Sequence, residues 1–178
     1  VLRFHVVPPI SADDTTPAQF LGLPAIAPIT GGTVRRLAII EEMSRRFDDS
    51  PIAGEFGTVD AKGHWTQREW MAPVTETPRS GATEVWELYN TTADAHPIHI
   101  HALNFQVVDC QPIHGDEMDQ HVEVRGHPRG PEPWEMGWKD TVVSYPGEVT
   151  RLRMRFGRPG QFTWHCHILE HEDNEMMR

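Results

Sequence analysis

The chain has 178 residues, of which 38% are hydrophobic and 24% are charged, and its formal net charge is −10. This length suits one ordinary domain with some excess, and the composition is typical of a soluble globular protein rather than a disordered one. The acidic balance argues against a nucleic-acid partner. The absence of a long apolar run argues against a membrane-spanning helix.

The first 32 residues are expected to be the end of a preceding domain followed by a linker. Residues 1–7 alternate and include β-branched side chains, which predicts a short strand ended by Pro8 and Pro9. The composition then shifts to Pro, Ala, Thr and Gly, as in a linker with little regular structure. We place a boundary near residue 32 and assign residues 33–178 to one domain. Because the sequence opens mid-strand without an initiator Met, we expect Val1 to be a cut end.

Short strands separated by turn residues are predicted in the middle of the chain. Residues 35–47 fit helical spacing, but their apolar run at 36–40 also fits a buried strand, which we favour. Further strands are predicted at 57–60, 65–70 and 84–89. Many short strands at this spacing predict an all-β sandwich or barrel.

The second half of the chain continues this pattern. Residues 96–108 form two strand-like segments, whereas residues 111–138 are polar and rich in Pro, Gly and His, which predicts a long loop. Strands are predicted at 138–143 and 149–156, with a turn at Pro146–Gly147 between them.

The segment from Trp164 to Met176 concentrates three imidazoles, a thiol and a thioether. On a strand, successive side chains face opposite sides. His165 and His167 would therefore face one way and Cys166 the other. One strand could thus serve two metal sites.

A second histidine segment repeats this parity. His99 and His101 would share one face of a strand, and His96 would lie on the other. Pairing the two segments gives a four-histidine set (His99, His101, His165, His167) and a separate set of His96, Cys166, His171 and Met176. The second set is the complement of a blue-copper centre, with a weak axial Met. The two sites would lie on the order of 10 Å apart.

Alternatives remain open for several of these residues. A zinc hydrolase could use the histidines, but it would leave Cys166 and the downstream Met without a role. Glu172 is either a hydrogen-bonded surface acid or a proton relay. Cys110 is predicted to be a buried small hydrophobe rather than half of a disulfide. The other histidines form no comparable pair and are expected at the surface or in loops (His5, His64, His114, His121, His127).

The motifs His96-Pro97-Ile98-His99-Ile100-His101 and His165-Cys166-His167, with His171 and Met176, resemble the C-terminal copper motifs of multicopper oxidases. Residues 73–78, 137–141 and 167–173 resemble the branch containing bacterial spore-coat laccases, bilirubin oxidases and phenoxazinone synthases. The resemblance extends roughly from Arg35 to the end. It implies a Greek-key cupredoxin barrel, with a short helical turn near the last ligands, forming the third domain of a three-domain enzyme.

The resemblance also implies roles for individual residues. The type 1 copper would be held by His96, Cys166, His171 and Met176, the type 2 copper by His99, and the type 3 pair by His101, His165 and His167. Glu172 matches an acid implicated in proton supply. Asp94 stands where bilirubin oxidases carry Trp, which favours a laccase-like activity.

In the family the oxygen-reducing cluster takes eight histidines, and four of them come from two His-x-His motifs that are absent from this sequence. We therefore expect N-terminal cupredoxin domains as partners, together with dioxygen and a small aromatic reductant, and an inactive chain without those domains. The resemblance implies an extracytoplasmic or spore-coat location. A non-enzymatic blue-copper electron carrier is the alternative function.

Overall fold

The computed structural model describes residues 2–22, 24–47, 51–116 and 119–178. Within these ranges the regular secondary structure is almost entirely β-strand, with one short α-helix, α1 (Leu169–Glu172), and a 3₁₀ turn at Ala18–Phe20. The strands are β1 (Thr33–Met43), β2 (Pro51–Val59), β3 (Trp65–Arg68), β4 (Thr83–Asn90), β5 (His96–Ile100), β6 (Phe105–Asp116), β7 (His121–Val124), β8 (Thr141–Ser144), β9 (Glu148–Arg155) and β10 (Trp164–Cys166).

The strands form two sheets. A seven-stranded sheet has the order β3-β2-β1-β4-β9-β6-β7, and a three-stranded sheet has the order β10-β5-β8. Strand pairs are antiparallel except β1 and β4, which run parallel. The large sheet curls until its two ends, near β3 and β7, come together. Two main-chain hydrogen bonds join them there, from the Trp65 N–H to the Gln120 carbonyl and from the Val122 N–H to the Gly63 carbonyl, both at 2.9 Å. The predicted all-β architecture is confirmed.

Strand β1 occupies the segment whose sequence also fitted a helix. Leu37 and Ile39 enter the main core, while Ala38 and Ile40 enter a second core on the opposite face of the sheet. Because both faces are covered here, residues 37–40 form a continuous apolar run instead of an alternating one. The prediction of a strand is confirmed.

The predicted loop at 111–138 is wrong in its first half. Strand β6 continues to Asp116 and forms a hairpin with β7. Residues up to Pro112 pair with β9, and residues from Ile113 pair with β7. Pro112 therefore lies where the strand changes partner, a position that tolerates the missing N–H.

The predicted strand at 1–7 is also wrong for the described residues 2–7, which are exposed and form no strand. A strand needs a hydrogen-bonding neighbour, and none of the described residues pairs with this segment. Its assignment to a preceding domain stays a prediction. Farther along, the linker contacts the barrel, since the Gln106 amide donates to the Ala27 carbonyl and the Ile29 N–H donates to the Gln106 side chain.

Strand β10 is anchored by aromatic packing. The Trp164 ring stacks on Phe56 with a centroid distance of 3.9 Å and meets the Trp86 ring edge-on at 5.4 Å. Strand β10 also pairs with β5 through main-chain hydrogen bonds, with His165 opposite His99. The two histidine-rich segments are therefore neighbouring strands.

Neither helix among the described residues has the length and apolarity needed to cross a membrane.

Candidate metal centre

The alternation predicted for β5 is present in the structure. His96, Ile98 and Ile100 are buried, whereas His99 is half-buried and His101 is exposed. The pleat of the strand thus sends His96 into the core and the other two imidazoles to the opposite face.

His96, Cys166 and His171 converge on one point, which we call the Cys166 site. The Nδ1 atoms of the two imidazoles are 3.2 Å apart, and each lies 3.8 Å from the Cys166 Sγ. One ion could lie about 2 Å from each nitrogen and about 2.3 Å from the sulfur when these atoms are roughly 3.5 to 3.8 Å apart. The observed triangle fits a metal ion with little rearrangement.

The orientation of His96 is fixed from behind by Thr92. The His96 Nε2 lies 2.7 Å from the Thr92 Oγ1, and that hydroxyl donates its proton to the Asn90 Oδ1 at 2.8 Å. Because the hydroxyl proton is already used, the imidazole Nε2–H must be the donor. The Nδ1 lone pair is then free to face the Cys166 site, as outer contacts of metal ligands commonly arrange.

Met176 is fully buried in the core cluster that contains Cys166. Its main-chain carbonyl accepts from the Cys166 N–H at 3.0 Å, which holds the segment beside β10. A Cβ at Gly54 would lie 2.7 Å from the Met176 Cε. The glycine therefore makes room for the end of this thioether.

A second group of imidazoles, which we call the histidine cluster, lies on the opposite face. His99, His101 and His165 each place a ring nitrogen within 4.8 Å of the others, and the Nε2 atoms of His101 and His165 are 3.1 Å apart. The His99 Nδ1 is 2.9 Å from the Asp140 carbonyl, and the His165 Nδ1 is 2.9 Å from the Cys166 carbonyl. Carbonyls can only accept, so both Nδ1 atoms carry the proton and both Nε2 atoms offer a lone pair.

His167 borders the histidine cluster without joining the group of three. Its ring centroid is 5.7 Å from that of His99 and 5.5 Å from that of His165, and the side chain is exposed. The main-chain N–H of His167 donates to the Pro97 carbonyl at 2.6 Å.

Glu172 lies beside the histidine cluster. Its Oε2 is 3.2 Å from the His165 Nδ1, and 26% of its side-chain surface is exposed. The carboxylate thus touches an imidazole on one side and solvent on the other.

Burial determines the protonation of these donors before metal binds. It lowers the pKa of His96 to about 4, with a further contribution from His171. The pKa of His101, an exposed residue, is lowered by partial desolvation and by the neighbouring imidazoles of His99 and His165. Both imidazoles are therefore neutral at pH 7, as a metal ligand must be. Burial raises the pKa of the Cys166 thiol, so binding of a metal must displace its proton.

A family model described as "Multicopper oxidase" matches residues 46–178. The chain belongs to the multicopper oxidase family. Copper is the metal that this family implies, and the donors of the Cys166 site, soft thiolate with imidazole, suit it.

Individual relatives agree with this assignment. The chain is 43% identical over 129 residues to a laccase of Bacillus subtilis, covering 68% of this chain and 25% of the relative. It is 33% identical over 207 aligned positions to a multicopper oxidase of rice, covering 100% of this chain and 34% of the relative. A crystal structure of a laccase from Pediococcus acidilactici superposes with a TM-score of 0.59 at 29% identity, covering 93% and 30% of the two chains.

These alignments bear on the fold and on the extent of the chain. The predicted cupredoxin-like fold is confirmed by the similarity to the Pediococcus structure. The chain spans about a quarter of the length of the Bacillus laccase.

Several residues that support the site carry little signal in the sequence. Gly54 within a strand hints at a close approach, and the hydroxyl of Thr92 four residues before His96 could have suggested a contact. The role of the Asn90 side chain is visible only in the folded structure. Its amide NH₂ donates to the carbonyls of Asp94 and Ser144, which fixes the oxygen that accepts from Thr92.

Proposed function

We propose that this chain is the copper-binding part of a laccase-type multicopper oxidase that takes single electrons from small aromatic reductants and delivers them to dioxygen. One observation carries the proposal. Cys166 belongs to the Cys166 site, while the residue before it, His165, belongs to the histidine cluster on the opposite face. Two donor sets joined by one peptide bond are suited to passing electrons between metal sites.

In this proposal His96, Cys166 and His171 hold one copper, with Met176 as a weak fourth ligand. Bound copper supplies one-electron transfer at the thiolate and, where several ions are held together, reduction of dioxygen. His96 and Cys166 are 0% exposed, whereas His171 is half-buried. The edge of His171 is therefore the place where a reductant can approach, and the buried donors keep water from the thiolate.

The electron path from the Cys166 site is short. It runs from Cys166 through the main chain to His165 and His167. A second route is offered by the 2.9 Å hydrogen bond from the His165 Nδ1–H to the Cys166 carbonyl. Both routes end on imidazoles of the histidine cluster.

The histidine cluster is proposed as half of an oxygen-reducing site. His99, His101, His165 and His167 would bind copper ions there, together with histidines from N-terminal domains of a longer protein. The exposure of His101 and His167 supports this, since these rings face outward, where another domain could reach them. Glu172 is placed to hold or deliver a proton at its Oε2, next to the His165 Nδ1 and open to solvent.

The alternative, a blue-copper electron carrier, would need only the Cys166 site. It gives no role to the three imidazoles that converge on the opposite face. An extracytoplasmic or spore-coat location stays a prediction from the family resemblance.

Copper titration of the 178-residue chain tests the proposal. We expect an intense thiolate-to-copper absorption and no four-electron reduction of dioxygen, with turnover restored by the domains that precede this part in a full-length enzyme. Cys166→Ser should abolish the absorption, whereas Cys110→Ser should retain it, because Cys110 is buried against Thr150 away from both sites. Oxygen reduction by the pure chain would contradict the need for further domains, and a blue Cys166→Ser variant would contradict the assignment of the thiolate.

A further inference from the structure

The segment that follows α1 carries Met176 in an unusual backbone setting. Glu175, the residue before it, has a φ of +72°, a left-handed conformation that residues with a side chain seldom adopt. Such a conformation persists only where surrounding contacts hold it. The contacts that do so point to a specific support for Met176.

Several contacts to this segment come from residues 69–76, which we call the brace loop. The Trp70 N–H of this loop donates to the Glu175 Oε2 at 2.7 Å. The Arg178 guanidinium donates to three carbonyls of the same loop, those of Glu69 at 2.7 Å, Ala72 at 3.2 Å and Pro73 at 2.9 Å. The loop is thus fastened to the chain on both sides of Met176.

Arg178 is well placed to transmit this support. Its side chain is only 3% exposed, and Glu76 is 3.7 Å away as a charge partner. Its main chain exchanges two hydrogen bonds with Trp164, at 2.8 and 2.9 Å. The buried guanidinium therefore ties the brace loop to β10, two residues from Cys166.

Strand β2 closes the other side of Met176. The Gly54 N–H donates to the Asn174 carbonyl at 3.3 Å, and the Asn174 amide donates to the Ile52 carbonyl at 3.2 Å. The end of the thioether lies against Gly54, where a Cβ would come within 2.7 Å of the Met176 Cε. Met176 is therefore held between a strand and a fastened loop.

We propose that Arg178 and Glu175 are positioning residues that set, through the brace loop, how closely the Met176 thioether approaches the Cys166 site. The proposal rests on the role proposed above for Met176 as a weak ligand. A methionine side chain has three rotatable bonds and adapts readily to irregular space, so its sulfur position must be imposed by its surroundings. The potential of such a copper site is tuned by its axial ligand.

The test measures the copper midpoint potential and the visible and EPR spectra of the copper-loaded chain. Arg178→Ala should keep the thiolate-to-copper absorption but shift the potential in the same direction as Met176→Leu, and by less. The potential of Arg178→Lys should lie between those of Arg178→Ala and the unsubstituted chain, because an ammonium can bond to some but not all of the three carbonyls. Arg79→Ala, which removes an exposed arginine near the brace loop, is the matched control and should leave the potential unchanged.

The decisive measurement is the double variant. If Arg178 acts through Met176, Arg178→Ala should add no further shift in the Met176→Leu background. An equal shift in both backgrounds would overturn the proposal, as would loss of the absorption in a folded Arg178→Ala chain. Met176→Leu with an unchanged potential and spectrum would instead contradict the ligand role of Met176, which is a failure of the proposed function.

Glu175 provides an independent variant if Arg178→Ala does not fold. Glu175→Ala removes the acceptor of the Trp70 N–H and should shift the potential with the sign of Met176→Leu, whereas Glu175→Gln keeps an acceptor oxygen and should shift it less. Equal potentials for Glu175→Ala and the unsubstituted chain would refute the proposal that the brace loop positions Met176.

Discussion

The Cys166 site and the histidine cluster share strands β5 and β10, yet they differ in burial. The first encloses His96 and Cys166 with no exposed surface, whereas the second leaves His101 and His167 open to solvent. The difference follows from the pleat, since one face of β5 and β10 packs on the core and the other carries the exposed His167 beside the buried His165. Two of the three donors of the Cys166 site are fully buried, while the histidine cluster presents His101 and His167 to whatever covers that face.

The two sites also differ in what holds their imidazoles. His96 depends on a side chain, the Thr92 hydroxyl, whereas His99 and His165 each have a main-chain carbonyl beside the Nδ1 atom. A side-chain partner can be removed by substitution and a carbonyl cannot. The buried site is therefore more sensitive to changes outside its own ligands.

Copper should stabilise the chain mainly through the buried site. A ligand present at 1,000 times its dissociation constant adds about 4 kcal/mol to the free energy of unfolding. We expect a corresponding rise in the thermal midpoint of the chain on copper loading, reversed by a chelator, and most of it missing in Cys166→Ser. A similar rise in that variant would place the stabilising ion in the histidine cluster and break the comparison.

Removing one imidazole from each site should separate them further. His96→Ala should weaken copper binding at the thiolate by more than about 100-fold, the upper end of the loss expected from an outer contact alone. His101→Ala should leave that affinity nearly unchanged. The copper affinity of each variant can be measured by chelator competition, followed by the thiolate absorption. Equal losses of affinity in the two variants would show that the sites are not independent.

Thr92→Val tests the side-chain support of His96. The change leaves the His96 Nε2–H buried without its acceptor, and the imidazole can then place its proton on Nδ1, the atom that must bind metal. Copper affinity at the Cys166 site should fall about 10- to 100-fold. Thr92→Ser, which keeps the hydroxyl, is the matched control in the same titration. An unchanged affinity in Thr92→Val would show that His96 does not need this contact.

Thr141→Val is the counterpart in the histidine cluster and should have the smallest effect. The His99 Nδ1 lies 3.0 Å from the Thr141 hydroxyl, but the Asp140 carbonyl is nearer at 2.9 Å. Copper bound outside the Cys166 site should change in affinity by only about 3-fold or less, because a neutral hydrogen bond that is replaced contributes roughly 0.5 kcal/mol. A loss as large as that of Thr92→Val would contradict the proposed difference in support.

The parity of the ligands could be predicted from the sequence because strand periodicity is strict. His96 and Cys166 were separated from His99 and His165 by that rule alone, and the structure brings each group together. The β6–β7 hairpin was missed because Pro112 indicates a loop unless the strand is known to change partner there. The Thr92 contact spans only four residues but depends on how the turn between β4 and β5 folds. The brace by Arg178 joins residues distant in sequence, so neither contact follows from strand periodicity.

Strand β10 is three residues long, and its middle residue, His165, faces the histidine cluster while the next residue, Cys166, faces the core. A substitution in this strand changes one donor, but an insertion or deletion of one residue would exchange the two faces of β10 and turn its donors away from their sites. The spacing between His165 and His167 must therefore be kept if both donor sets are to form. The spacing of these three positions is a stricter signature of a working protein than the identity of any one residue around them.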